Sequence, residues 1–210
     1  VKKSNPFCYK LKQNKMTLVG MAILLLIVLL SILVPFLSPY DPNKVELVNK
    51  FQPPSASHWF GTDEVGRDIF TRIFYGAILS LGLGILIIFV AALIGIIIGS
   101  ISGYIGGIVD TIIMRLVDMV LAFPSLILAM SLAAVLGPNI QNAMLAIAIV
   151  KVPVYIRLAR AEALSLKEKL FVKSAETFGI NKALIIMKHI IPNAVSPVII
   201  QATLDIGDTI

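Results

Sequence analysis

The sequence predicts an all-α protein that crosses a membrane several times. Of its 210 residues, 58% are hydrophobic and only 14% are charged, whereas about a quarter of the residues of a soluble domain are charged. Apolar runs long enough to span a bilayer alternate with polar segments that hold most of the charges. We therefore expect a polytopic bundle of transmembrane helices whose polar connections lie outside the bilayer.

The composition also excludes other classes of protein. The net charge of +6 is spread over the segments between apolar runs and forms no single basic patch, so we expect no nucleic-acid partner. A lone cysteine, Cys8, allows no intramolecular disulfide, and with only two histidines we predict neither a metal site nor a cofactor. No Gly-x-x-x-x-Gly-Lys-Ser/Thr segment occurs, so the chain has no phosphate-binding loop of its own.

The chain starts with a basic segment and a first transmembrane helix. Residues 1–16 carry five lysines and no acid, and residues 17–37 form an uncharged apolar run. That run is long enough to cross a bilayer, and it is too long for a secretory signal and lacks a small-residue cleavage site. We predict a retained helix with a cytoplasmic N-terminus.

Residues 38–77 are predicted to form an extracytoplasmic loop, in which several prolines break helix formation. Four of its residues could form a metal or acid–base site: His58, Asp63, Glu64 and Asp68. The other interpretation, which we favour, is a structured loop in which Arg67 and Arg72 neutralise these acids.

Residues 78–210 are predicted to form an incomplete transmembrane domain. Its spans are 78–101, 117–136, 140–156 and a fifth from 194 onward. In the first of them Gly95 and Gly99 lie four residues apart and predict close packing of another helix, whereas Gly103 to Gly107 are interpreted as part of a loop over 104–116.

Three further features mark the later spans. Pro124 predicts a kink in the span 117–136, and Pro153 marks the end of the fourth span. The fifth span contains Asp205 and Asp208, which are costly in a membrane unless shielded. Because the chain stops at Ile210, we expect it to be truncated within this span.

A charged stretch, residues 171–193, separates the last two spans. Phe171, Ala175 and Phe178 recur at helical spacing and would be presented on one face. Gly179 stops this helix, since glycine adopts the left-handed cap conformation without penalty, and Pro192 ends the helix that follows. The stretch either docks a partner protein or lies on lipid headgroups as a basic amphipathic helix.

The distribution of Lys and Arg predicts the orientation. With the N-terminus inside and a crossing at each of the first four spans, fourteen of the 18 basic residues lie in inner segments and four in the outer loop. The positive-inside rule favours this arrangement. It places the loop 157–193 in the cytoplasm, where ATP is found.

Within that loop, Ser174-Ala175, three residues, Gly179 and then residues 190–193 resemble the EAA motif of permease subunits of ATP-binding-cassette importers. Lys173 stands where that family has its first Glu, and Ser174 where it has its first Ala. In the family this cytoplasmic loop fits a cleft on the ATPase subunit. The resemblance implies an ATPase-coupling set of Phe171, Lys173, Ser174, Ala175, Glu176, Phe178, Gly179 and Pro192.

A second resemblance narrows the group. It lies in Phe60-Gly61-Thr62-Asp63, Gly66-Arg67-Asp68, Arg72, Tyr75-Gly76-Ala77 and Ser80-Leu81. These residues are similar to a segment of the permeases that serve dipeptide, oligopeptide and nickel importers. Such permeases usually have six spans.

The resemblance implies a non-catalytic subunit in a bacterial or archaeal inner membrane, forming half of a translocation path for peptides or nickel. Its partners would be a second, related permease, two ATP-binding subunits and an extracytoplasmic solute-binding protein. The main alternative is a channel-like or structural membrane subunit. No paired Ser–His or Cys–His arrangement favours a membrane hydrolase.

Overall fold

The computed structural model describes residues 15–209, so most of the predicted basic N-terminus lies outside the described residues. Within 15–209 the regular elements are helices, apart from a single β-bridge between Thr62 and Asp68. Four helices in this part of the chain are long and apolar enough to cross a membrane, or five if one bent pair is a single span. The predicted all-α polytopic class is confirmed.

The helices follow one another with short connections, except for one long loop after the first. They are α1 (Lys15–Leu37), α2 (Ile69–Ile105), α3 (Gly107–Leu121), α4 (Ser125–Leu136), α5 (Ile140–Lys167), α6 (Leu170–Thr177), α7 (Lys182–Ile185) and α8 (Ile191–Thr209). A 3-10 turn (Leu47–Asn49) lies in the long loop, and a π turn (Ile186–Ile190) joins α7 to α8. The chain forms two compact units, one up to Leu81 and one from Gly82 onward.

In the first unit, α1 covers the predicted span 17–37, and only Ser31 and Val34 of this helix are buried. The loop after it ends at residue 68, so α2 begins inside the predicted loop 38–77. Asp68 starts α2 because its carboxylate accepts the Thr71 backbone N–H at 2.8 Å, which satisfies one of the first N–H groups of the helix. At 37 residues, α2 is about 55 Å long.

Residues 104–116 are helical apart from Gly106, so the loop predicted there is wrong. α2 continues to Ile105, and α3 starts at Gly107. Gly106 between the helices and Gly107 at the start of α3 have φ values of 71° and 63°, in a half of φ space that side chains disfavour. Two consecutive glycines therefore turn the chain from one helix into the next without a longer connection.

The kink predicted at Pro124 is confirmed, whereas Pro192 does not end a helix as predicted. At Pro124 the chain breaks, and α3 and α4 are bent by 90°. Pro153 lies inside α5, which runs on to Lys167. Pro192 lies in the first turn of α8 and does not terminate the helical segment before it. The missing N–H of Pro192 is accommodated because the π turn just before it widens the helix.

In the second unit, α2 and α5 pack through a seam of glycines. A Cβ built on Gly95 would overlap Tyr155, and one on Gly99 would overlap the Ile156 carbonyl. One on Gly103 would lie 2.6 Å from a carbonyl oxygen of the same facing helix. Gly103 is thus a packing residue, and its interpretation as part of a loop is wrong. Small residues allow such close backbone approach.

Both acidic residues of α8 pair with α5, and one of them, Asp205, is buried against it. The Lys151 ammonium donates to Asp205 at 3.1 Å and to Asp208 at 2.7 Å. The Tyr155 hydroxyl donates to the other Asp205 oxygen at 2.7 Å. Asp205 is only 8% exposed, and a carboxylate among apolar helices is stable only with such partners.

Candidate functional site

The connection between α6 and α7 is a sharp corner. The Ile180 N–H donates to the Ala175 carbonyl at 3.1 Å, and the Gly179 N–H donates to the Glu176 carbonyl at 3.0 Å, the hydrogen-bond pair of a Schellman cap. The cap requires a left-handed residue, and Gly179 has φ +74°. The Asn181 side chain then caps α7. The sequence motif thus forms a helix–glycine–helix corner.

An apolar cluster anchors this corner to the ends of α2 and α5. We call it the corner cluster: Tyr104, Ala163, Leu166, Val172, Ala175, Ile185, Ile186 and Ile190. Each of these residues is at most 7% exposed. Burial of this kind stabilises the corner by removing apolar surface from water.

Polar contacts reinforce the anchor. The Tyr104 hydroxyl donates to Glu176 Oε1 at 2.6 Å, which joins the end of α2 to α6. The Lys167 ammonium donates to the Tyr104 carbonyl at 2.9 Å and lies 5.7 Å from the centroid of its ring. The corner is therefore held to both long helices by polar as well as apolar contacts.

The outer surface of the corner presents large apolar side chains. Phe171 is 46% exposed and Phe178 is 85% exposed. Leu184 of α7 and Met187 of the π turn are also exposed. Ala175, however, is 7% exposed and packs in the corner cluster, so the expectation that it is presented with the two phenylalanines is wrong. Its neighbour Phe178 takes the outward position just before the turn.

The remaining residues of the predicted coupling set are on the surface. Lys173, Ser174, Glu176 and Pro192 are exposed. Lys173 lies 2.6 Å from Glu168, and its ammonium holds the pKa of the Glu168 carboxyl below its usual value. Only Glu176 of this set has a hydrogen bond to a distant helix.

In the long loop between α1 and α2, Asp63 organises a separate polar cluster. It accepts the backbone N–H groups of Val65 and Arg67 at 2.9 and 3.0 Å and pairs with the guanidinium groups of Arg67 and Arg72. Burial opposes ionisation of Asp63, but these donors outweigh burial and hold its pKa well below its usual value.

Asp68 forms the second part of that cluster. Its carboxylate lies 2.9 Å from His58 Nδ1 and accepts the Thr71 hydroxyl at 2.7 Å. Burial would raise the pKa of Asp68, but the Thr71 and His58 contacts lower it overall. No group of three or more possible ligands for a metal occurs among residues 15–209, and the contacts are those of a structured loop with internally paired charges.

The sequence did not indicate Tyr104, Lys167 or Val172 as parts of the site. Val172 lies three residues before Ala175, and this spacing marks the inward face of α6. The two phenylalanines obscured it because they are larger and more apolar. Tyr104 is 72 residues from its partner Glu176, a distance over which no local pattern signals a contact.

Family models match most of the chain. Residues 93–210, more than half of it, match the binding-protein-dependent transport system inner membrane component. Residues 7–54 match the N-terminal transmembrane domain of oligopeptide transport permease C. The first match includes the glycine seam, the corner cluster and α8.

Named relatives agree with this assignment. The probable D,D-dipeptide transport system permease protein DdpC of Escherichia coli K12 is 46% identical over 96% of this chain and 68% of its own length. The dipeptide transport system permease protein DppC of Alkalihalophilus pseudofirmus is 46% identical over 96% of this chain and 66% of its own length.

The glutathione transport system permease protein GsiD of Escherichia coli O6:K15:H31 is 38% identical over 97% of this chain and 68% of its own length. The chain thus spans about two thirds of the length of these relatives. With apolar spanning helices and a capped corner within the matched region, the chain belongs to the binding-protein-dependent inner membrane components, the permease subunits of ATP-binding-cassette importers.

Proposed function

We propose that this chain forms half of the translocation path of a peptide importer and that its corner, residues 168–191, docks a separate ATPase subunit. The relatives named for dipeptide and glutathione transport support a peptide as the solute. The sequence resemblance offers nickel as the second candidate solute. The chain itself would not catalyse ATP hydrolysis.

The observation that carries the docking proposal is the exposure of Phe178 beside a firmly anchored turn. An 85% exposed aromatic residue gains most by burial in another protein, and aromatic side chains are enriched at the centres of interfaces. Phe171, Leu184 and Met187 extend the same apolar surface. Lys173 adds a positive charge at its edge.

The anchoring matters because a docked partner must move something. The inward side of α6 and α7 packs in the corner cluster with α2 and α5. A displacement of the corner would therefore displace the ends of two long helices, and closely packed helices move as bodies rather than deforming. ATP binding and hydrolysis in the partner could in this way alternate access to the path.

The partners that complete the proposal are a second permease subunit, two ATP-binding subunits and an extracytoplasmic solute-binding protein. The family description itself refers to transport that depends on a binding protein. The excess of Lys and Arg on one side supports an N-terminus in the cytoplasm, which places the corner on the side of ATP.

A cysteine cross-link tests the docking. In a Cys8→Ser background, which removes the single native cysteine, Phe178→Cys should cross-link to an ATPase subunit in membranes that contain the complete transporter. Val135→Cys on α4, with a similar exposure of 86%, is the matched control and should give no such product. Mass spectrometry of the cross-linked band identifies the partner.

Two outcomes would overturn the proposal. One is the absence of an ATPase from both the cross-linked products and the complex purified in mild detergent. The other is labelling of Lys173 or Lys182 only from outside the cell. Either result would favour the alternative of a channel-like or structural subunit whose basic helix lies on lipid.

A further inference from the structure

Tyr104 occupies an unusual place at the corner. It lies in the last turn of α2 and is only 2% exposed, with its ring in the corner cluster. Its hydroxyl nevertheless reaches the Glu176 carboxylate on α6 at 2.6 Å. No other side-chain hydrogen bond joins α6 directly to α2 within residues 15–209.

Lys167 binds the backbone of Tyr104. The Tyr104 carbonyl belongs to the last turn of α2, where carbonyls lack partners within the helix. Lys167, the last residue of α5, donates to this carbonyl at 2.9 Å. Tyr104 is thus bound through its backbone to α5 and through its side chain to α6.

The glycine seam makes this attachment effective. A Cβ built on Gly99 or Gly103 would meet the backbone of α5, so α2 and α5 touch along their length just before Tyr104. The bond from Tyr104 to Glu176 then adds α6 to this pair. Glu176 lies only three residues before Gly179, close to the surface proposed to meet the ATPase.

We propose that Tyr104 is a positioning residue for energy coupling, which holds α6 against the end of α2 so that movement of the corner is passed to α2 as well as to α5. This inference rests on the proposed docking function. The apolar contacts of the corner cluster pass movement on but are non-directional, so the hydrogen bond adds a fixed direction to their contribution. A hydrogen bond to a carboxylate is directional and stronger than one between neutral groups.

The experiment measures solute transported per ATP hydrolysed by the complete transporter in proteoliposomes. Tyr104→Phe keeps the buried ring and removes only the hydroxyl, and it should lower this ratio about three- to tenfold. The Phe178→Cys cross-link and the melting temperature of the complex should stay close to wild type, which a purely structural role of the hydroxyl would not explain.

Variants of Glu176 show whether coupling depends on the hydrogen bond from Tyr104 or on other properties of the Glu176 side chain. Glu176→Gln keeps an acceptor oxygen and should retain most of the coupling, whereas Glu176→Ala should lower the ratio as much as Tyr104→Phe does. The double variant should be no worse than either single variant. Tyr40→Phe removes a hydroxyl that donates to the Ser57 carbonyl at 2.9 Å in the extracytoplasmic loop, and this matched control should leave the ratio unchanged.

A wild-type ratio in Tyr104→Phe, or additive losses in the double variant, would overturn the inference while leaving the docking proposal intact. If Tyr104→Phe does not assemble, Glu176→Ala on the exposed side of α6 decides by the same measurement. Failure of the docking proposal is recognised separately, since the Phe178→Cys variant with Tyr104 unchanged would then give no ATPase cross-link.

Discussion

Two bends of this chain use a left-handed glycine in different surroundings. In the long loop between α1 and α2, Gly66 has φ +78°, and a Cβ there would overlap the Glu46 carbonyl. At the corner Gly179 has φ +74°, but nothing lies within 4 Å of a Cβ built there. The loop thus requires glycine for both its conformation and its space, whereas the corner requires it for conformation alone.

Charge shows the same contrast. Asp63 in the loop is surrounded by donors from its own segment, so its charge is satisfied within the loop. The corner leaves Phe178 and Lys173 on its surface and sends Glu176 to another helix. The carboxylate of Asp63 is thus paired within the loop, whereas that of Glu176 pairs with a residue 72 positions away.

The largest expected effect of a substitution is in the loop. Gly66→Ala places a side chain on a residue with positive φ and brings its Cβ into overlap with the Glu46 carbonyl. The substitution should therefore destabilise the loop by about 2–5 kcal/mol. Limited proteolysis of the loop in the native state measures this change. Gly76→Ala, at a helical glycine with open space around it, is the control and should not increase cleavage. Equal cleavage in both variants would contradict the claim that the space around Gly66 admits no side chain.

The next effect concerns charge in the loop. Asp63→Asn weakens the contacts with Arg67 and Arg72 and should cost about 1.5–3 kcal/mol, seen as faster proteolysis at neutral pH. Exposed Glu64 is the matched control, and Glu64→Gln should behave as wild type. If both variants behave alike, Asp63 does not organise the loop.

The same carboxylate predicts a pH dependence. Because the folded loop lowers the pKa of Asp63 below its ordinary value of 3.8, its contribution is complete above that value and is lost as the pH falls through the lower folded value. Loop protection in the wild type should therefore fall on acidification below about pH 4, and Asp63→Asn should show a weaker dependence. A parallel fall in both proteins would contradict the assignment.

The smallest effect on stability is expected at the corner. Gly179→Val places a branched residue in the left-handed region and should cost only about 1–2 kcal/mol, yet it should reduce uptake per ATP because the angle between α6 and α7 changes. Gly179→Asn is the matched control, since Asn tolerates this conformation best among side-chain residues. Normal uptake in the Val variant would separate the corner from coupling.

Much of this architecture could be predicted from the sequence, because hydrophobic runs and glycine turns act locally. The span 17–37 and the turn at Gly179 depend only on neighbouring residues. Pro192 misled because proline breaks a helix interior, whereas this proline lies in the first turn of α8, just after the π turn, where a missing N–H costs little. Gly103 misled because glycine is common both in loops and where two helices pack closely.

The contacts that hold the site together could not be predicted in this way. Lys151 and Asp205 are 54 residues apart, and Tyr104 and Glu176 are 72 apart. Such pairs depend on how helices pack, which a single sequence does not reveal. Ala175 shows the same limit, since its inward position depends on what lies beneath α6.

The π turn at Ile186–Ile190 has a consequence for α8. A π turn holds one residue more than an α turn, and each residue corresponds to about 100° of rotation in an α-helix. Removing one residue from this turn would swing Asp205 away from Lys151 and turn an apolar face of α8 toward that ammonium. The register that lets α5 neutralise the acids of α8 is thus determined some fifteen residues upstream, by a single extra residue at the edge of the corner.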